Sequence, residues 1–295
     1  MREVQWDRMF PDELEASFQA CPVVYFSYGL CEPHGPQNAV GLDALKAHAI
    51  CRQAAREHGG IVAPPDYWHI HEIGGYAVWA EQNIGEARPW LTAVPPWIHF
   101  KNVCYHLRSA DALGFHAAIL VTGHYGPNWQ DLKTLLSILQ PHFAMRLYGL
   151  PDFEANHPGF SGNGDGADHA GRVETSLLWA LEPDCVDVSR IPDRDAPGPH
   201  FAMGSNAFES NRSVGERMVE DEVRWLGVKA KELLQDYHEL SPVERQPLSF
   251  IRIEQIWREE IEPVIDQFKS MQMQFNSQTE GPSPESRWML NWELP

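Results

Sequence analysis

The chain has 295 residues, 43% apolar and 22% charged, with 41 acidic side chains against 23 basic ones and a formal charge of −18. That composition belongs to a folded globular protein rather than a disordered one, and its acid excess argues against nucleic acid or an anionic membrane surface as partner, since both are met by Lys and Arg. No apolar run approaches the ~20 residues that cross a bilayer. The first twenty residues lack a signal-peptide core, and the five scattered cysteines contain no C-x-x-C pair, so we expect a cytoplasmic protein with reduced thiols.

Strand-like and helix-like runs then alternate. Residues 22–30 are aromatic and β-branched and predict a strand. Residues 42–58 predict a helix with Leu45, Ala49 and Ile50 on its apolar side and Lys46, Arg52 and Arg56 elsewhere, stopped by Gly59 and Gly60. A strand follows at 61–63, a helix at 97–113, an apolar strand at 116–122, a helix at 129–139, a strand at 143–149, a helix at 173–181 and a strand at 184–188. Repeated β-then-α order with near-continuous apolar strands predicts an α/β domain of three layers, α/β/α, around a mostly parallel sheet. We assign 1–240 to it.

Three stretches break the rhythm. Residues 66–96 are rich in aromatics and prolines and too long for a plain connection, so they read as a pocket-lining loop. Residues 160–171 are glycine-rich, and 191–213 are proline-rich and polar. Beyond them, 214–240 predict a long helix. Residues 241–295 form an extension, with a helix predicted at 252–271, that packs on the same domain or on a neighbouring subunit.

Three clusters can carry chemistry. Glu32 and His34 follow the first strand, with Asp43 nine residues beyond His34 at the start of the next helix. Residues i and i+2 of an extended chain share a side, so Glu32 and His34 point at one spot beyond the strand's C-terminal end, where open parallel sheets bind ligands. Carboxylate and imidazole suit Zn, Mn or Fe; the same residues also serve as a helix cap and surface groups elsewhere. Next, His124 ends the most apolar strand within Thr122-Gly123-His124-Tyr125-Gly126-Pro127-Asn128, either at that same edge or as a hydrogen-bonded part of a capping loop around Asn128. Last, Asp168-His169-Ala170-Gly171-Arg172-Val173-Glu174 joins a glycine-rich loop to a helix. There His169 and Glu174 share a site, or Asp168 caps the helix and Glu174 faces solvent.

Together these clusters resemble the creatininase family of metal-dependent amidohydrolases, whose pattern is E-x-H-G after a strand, a following Asp, an N-G-H-G-G-N-like strand end and an H-A-G-x-x-E-T-S segment. The resemblance implies a flavodoxin-like parallel sheet, a homo-oligomer that is commonly hexameric, and two divalent metal ions per subunit. By motif position it implies Glu32, His34, Asp43, His124 and Glu174 as metal ligands, with Asp43 bridging, and His169 as the catalytic histidine beside Glu174. Gly126 stands where one branch of the family has a glutamate ligand, so either Glu174 takes that part, as in other branches, or the second metal is missing. The family's P-G-T segment is absent from 66–96, and creatinine is not the expected substrate.

The chemistry so implied is hydrolysis of an amide or cyclic amide C–N bond in a small molecule by metal-bound hydroxide, since a divalent metal lowers the pKa of its water from about 15.7 toward ~7. Trp68, Trp79, Tyr125 and Asn128 are the candidate substrate contacts, with Trp90 and Trp97 as further apolar walls. A metallopeptidase and a non-catalytic metal-binding assembly protein are the alternatives. No G-x-S-x-G elbow supports a serine hydrolase.

Overall fold

Pro11 opens helix α1 (Pro11–Ala20), and the apolar run behind it forms strand β1 (Val23–Tyr28), whose six residues are all buried. The computed structural model describes residues 3–71, 84, 88, 90–156, 168–198, 200–240 and 246–272. After β1 come α2 (Leu42–His58), β2 (Ile61–Val62), β3 (His69–Ile70), β4 (Ala93–Val94), α3 (Pro96–Leu113), β5 (Ala117–Thr122), α4 (Asn128–Leu139), β6 (Arg146–Pro151), α5 (Arg172–Leu181) and α6 (Arg212–Leu240). Helix α2 ends where expected because Gly59 takes φ +92, open to glycine at little cost.

The sheet is parallel in the order β2-β1-β5-β6, and β1 and β5 run in register from Val23 beside Ala117 to Tyr28 beside Thr122. Taken by position in the chain that order is 2-1-3-4, the flavodoxin-like arrangement, with its switch point between β1 and β5. Side chains alternate across it. Val24, Phe26, Tyr28, Ala118 and Leu120 pack on α3 and α4, whereas Val23, Tyr25, Ile119 and Val121 pack on α2, α5 and α6. Both faces are covered, which is the three-layer architecture anticipated above.

Residues 246–272 form an outer layer over α3 and α4, contributing Ile253, Ile256, Trp257, Ile261, Ile265, Phe268 and Met271 to the same core. The single helix expected at 252–271 is broken. It runs as α7 (Phe250–Ile256), a π turn Trp257–Ile261, a 3-10 stretch Glu262–Gln267 and α8 (Lys269–Gln272), because Pro263 has no N–H and cannot continue a helix.

Two further expectations change. Residues 184–188 are not a strand but two 3-10 turns, Pro183–Cys185 and Val188–Arg190, with one antiparallel bridge from Val186 to Asn38. Asp187 accepts from the Ser189 N–H and wins the segment for turn geometry. The strand placed at 143–149 begins at Arg146, since Pro141 and the Gln140 side chain, bonded to Leu147 N, form a turn first. Within 66–96, β3 and β4 pair in parallel, too short for a two-residue period to show in the sequence.

Candidate metal centre

Beyond the paired ends of β1 and β5 the chain passes through Gly29 and Gly123, and the first turn of α2 lies against both. A Cβ on Gly29 would come within 2.3 Å of Ala44 N, and one on Gly123 within 2.1 Å of the Asp43 carbonyl oxygen. Only glycine permits that approach. It carries Asp43 into the space above the strand ends, where Glu32, His34 and His124 also arrive.

Asp43 divides its carboxylate. Its Oδ1 lies 3.2 Å from His34 Nε2 and its Oδ2 lies 3.2 Å from His124 Nδ1. Glu32 Oε1 stands 3.0 Å from His124 Nδ1 and 3.5 Å from His34 Nε2, and Glu174 Oε2 stands 3.7 Å from His34 Nε2. All five side chains are buried. His34 donates from Nδ1 to the Glu32 carbonyl at 3.0 Å, which fixes its tautomer and leaves Nε2 for the carboxylates.

Glu174 reaches the centre because Asp168, not solvent, organises the start of α5. Asp168 Oδ2 accepts from Val173 N and Glu174 N at 2.7 and 2.8 Å, and Ala170, held at φ +49, turns its N–H onto Glu174 Oε2 at 2.7 Å. Both readings of this cluster therefore hold in part: Asp168 is a cap, and Glu174 is buried at 1% exposure. His169 packs its ring on His34 with centroids 4.5 Å apart. It donates from Nε2 to the Pro33 carbonyl at 2.7 Å and presents Nδ1 3.8 Å from Glu32 Oε1.

The charges follow from burial and neighbours. Burial works against an ionised Glu32, but His124 and His169 overcome it and hold the carboxyl well below the usual range. Burial likewise opposes a charged His34, yet Asp43, Glu32 and Glu174 carry it up to about 9, so the space attracts positive charge. Burial drives Glu174 up to about 8 and His169 down to about 4, making His169 a neutral imidazole at neutral pH.

Of the expected substrate contacts, Tyr125 lies half-buried beside the centre under an ammonium group described below. Asn128 is buried and shapes the His124 loop, accepting from Thr122 Oγ1 at 3.1 Å and donating to the His124 carbonyl at 3.3 Å. Trp68 and Trp90 are 57% and 61% exposed, Trp97 packs against the α3–α4 core, and Trp79 lies outside the described residues.

Three neighbours of the centre were not singled out in the sequence. His71 Nε2 stands 3.2 Å from Glu32 Oε2. Lys46, expected away from the apolar face of α2, is fully buried, with Nζ 2.9 Å from Asp152 Oδ2 and 3.4 Å from Glu174 Oε1. Two signals could have found this pair. Lys46 is three residues past Asp43 and so shares its helix face, and Asp152 directly follows the C-terminal end of β6, the edge where ligands bind.

Among the described residues, three overlapping sets of groups can hold a cation: Glu32, Asp43 and His124; His34, Asp43 and Glu174; and Glu32, His34 and His169. Fold and cluster together define an α/β protein with a buried carboxylate–imidazole centre at its sheet switch point. The chain belongs to the creatininase family: the family model described as creatinine amidohydrolase matches residues 7–227, and the family's members are amidohydrolases acting on carbon–nitrogen bonds. Its curated relative, the creatinine amidohydrolase of Pseudomonas putida, is 25% identical over 189 residues, covering 58% of this chain and 68% of that protein.

A crystal structure of creatinine amidohydrolase shares the fold with a TM-score of 0.60 at 22% identity, covering 80% of this chain and 99% of the other. Creatininase in a Mn form and a mutant of Zn–Zn type each match with a TM-score of 0.59, 22% identity and the same coverage, 80% and 99%. A mutant creatininase complexed with creatine matches with a TM-score of 0.59 at 23% identity, over 81% of this chain and 100% of that one.

Proposed function

We propose that this chain hydrolyses an amide or cyclic amide bond of a small molecule with two divalent cations at its centre. The observation that carries this reading is the pair His34 Nε2 and Asp43 Oδ1. Both are fully buried, they are 3.2 Å apart, and besides the neighbouring groups of the centre itself neither atom has a hydrogen-bond partner among the described residues. Three carboxylates crowd His34 Nε2 and favour positive charge there, either as a proton on the imidazole or as a cation that takes the proton's place. Glu32, Asp43 and His124 would hold one cation and His34, Asp43 and Glu174 the other, with Asp43 common to both. Divalent cations supply Lewis acidity, polarising a carbonyl and acidifying water.

The remaining chemistry belongs to the protein. His169, neutral and with Nδ1 facing the centre, accepts a proton there and delivers it to the leaving nitrogen. Its Nε2–H bond to the Pro33 carbonyl keeps the ring in that tautomer and orientation. Asn128 holds the His124 loop in place, while Tyr125 and the exposed ring of Trp68 are the groups from which a substrate contact is drawn. The Mn and Zn–Zn forms of related structures make Mn and Zn the cations to test first, ahead of Fe.

The test uses the full chain, stripped with chelator and reloaded with Mn or Zn, against cyclic amides, formamides and short peptides. Turnover of a small amide is expected, abolished by chelation and by Asp43→Asn. His169→Ala should lose about 100-fold or more in turnover while retaining both cations. Turnover of peptides alone would move the reading to a metallopeptidase, and no cation uptake would end it. The family likeness also carries a cytoplasmic homo-oligomer of hexameric size, which light scattering on the full chain measures.

A further inference from the structure

Phe201 and Ala202 both hold the left-handed backbone, at φ +53 and +61, and the Met203 N–H closes the turn onto the His200 carbonyl at 3.2 Å. Positive φ at both central positions is the pattern of a type I′ turn, which Asn and Gly fill at little cost and Phe and Ala do not. A turn built from such residues persists only where its surroundings hold it, and conformations of this kind gather at functional sites.

Here the surroundings are the two loops that carry His34 and His169. The Phe201 carbonyl accepts from the Gly35 N–H, directly after His34, at 2.6 Å. Gly204 lies against the other loop: a Cβ there would come within 2.6 Å of the His169 carbonyl oxygen and 2.8 Å of Gly171 Cα. Asn206 completes the contact, accepting from Arg172 N at 3.0 Å and donating to Asp168 Oδ1 at 3.2 Å. The segment therefore touches both sides of the joint at which His169 donates to the Pro33 carbonyl and stacks on His34.

We propose that residues 200–206 are a brace that positions the His169 imidazole, with Phe201, Gly204 and Asn206 acting through the two loops and not on substrate. The inference rests on the proton-transfer role given to His169 above. At 24% exposure the His169 side chain is not fixed by enclosure, so its orientation depends on where the two loops stand. Direct bonds between the loops land beyond His169 in the chain: Gln37 Nε2 donates to the Ala170 carbonyl at 3.0 Å and Asn38 Nδ2 to Thr175 Oγ1 at 2.9 Å. A group that moves a proton works only within hydrogen-bond reach, and a misplacement of about 1 Å costs up to ~100-fold in rate.

The experiment compares wild type with Ala202→Gly, Ala202→Pro and Asn206→Ala, each alone and with His169→Ala, on the small amide that wild type turns over in the assay above. Ala202→Gly permits the turn and should keep kcat within about twofold while holding or raising Tm. Proline locks φ at about −65°, so Ala202→Pro abolishes the turn. That variant and Asn206→Ala should lower kcat about tenfold or more, with KM and Mn uptake unchanged. In the His169→Ala background both losses should vanish, because a brace acts only through the ring it holds. Histidine-selective 15N magnetic resonance of the chelator-stripped chain gives a readout independent of turnover. The His169 signals, identified by their absence in His169→Ala, should show one fixed tautomer in wild type and Ala202→Gly and an average of two in the other variants. Losses that multiply with His169→Ala, a tautomer unchanged in every variant, or a fall in turnover matched by a fall in Mn uptake overturns the brace and leaves the role of His169 standing. Full turnover in His169→Ala itself overturns that role and the brace with it. Should Ala202→Pro fail to fold, Asn206→Ala decides alone.

Discussion

Gly123 and Asp43 meet backbone to backbone: the place of a Cβ on Gly123 is 2.1 Å from the Asp43 carbonyl oxygen, with the Asp43 carbonyl carbon at 2.8 Å. The obstacle is main chain inside a helix, which cannot rotate aside. Gly123→Ala must therefore push α2 away from the end of β5 and take Asp43 with it. We expect a loss of about 3 kcal/mol in stability, at the upper end of overpacking effects, together with loss of cation uptake. Denaturant midpoints and a Mn titration measure the two; a variant as stable as wild type with normal uptake would refute the packing argument.

Cations should stabilise the fold, because the centre collects carboxylates that repel one another when empty. A ligand at about 100 times its dissociation constant adds ~2.7 kcal/mol, which for a chain of this size moves Tm up by roughly 4 °C. Thermal unfolding with and without Mn or Zn measures the effect. Asp43→Asn, lacking the shared carboxylate, should show almost none of it.

Glu222 gives a pH signature away from the centre. It is fully buried, its Oε2 accepts from Ala155 N at 2.8 Å, its Oε1 has no hydrogen-bond partner among the described residues, and burial pushes its pKa up to about 8. A folded-state pKa above the unfolded value means that the native state holds the extra proton. Its contribution is complete below about pH 4.5, declines by up to about 1.4 kcal/mol per unit as pH rises, and is lost above about pH 8. Glu222→Gln keeps the shape and the acceptor without the titration. The stability of wild type relative to this variant should fall between pH 5 and 8, and parallel Tm profiles would contradict the assignment.

Asp131 clasps the outer layer. Its two oxygens accept from Lys269 N at 2.8 Å, Ser270 N at 2.7 Å and Ser270 Oγ at 2.6 Å, all in a buried setting. Asp131→Ala strands those donors and should cost about 3 kcal/mol. Hydrogen exchange of amides in 253–271 should accelerate well ahead of those in β1 and β5. Uniform acceleration throughout the chain would mean that the layer is not held locally.

The parts of this molecule that can be read from its sequence are those whose cause is local. Helix α2 is legible to the residue because its apolar spacing, Gly41 before it and Gly59 after it act within one segment. The gathering of Glu32, His34, Asp43, His124, His169 and Glu174 is legible because each motif sits at a strand end or a helix start. Lys46 is not: a lysine in an amphipathic pattern is assigned to solvent, and the Asp152 that keeps it inside arrives from another strand far along the chain. The break at Pro263 is visible in the sequence yet outweighed there by the apolar residues around it, while β3 and β4 depend on a pairing that no short pattern announces.

The crossover between β3 and β4 is fastened beside the centre at both ends. His71, one residue past β3, touches Glu32, and Thr92, one residue before β4, exchanges hydrogen bonds with Cys31, donating from N to its carbonyl at 3.0 Å and accepting from its N–H at 2.8 Å. Whatever sequence joins those anchors leaves and returns next to the reactive groups. Both ends of that stretch are thus tied to the residues that leave β1, so a strain placed on it is felt first at Cys31 and Glu32 rather than in the sheet behind them.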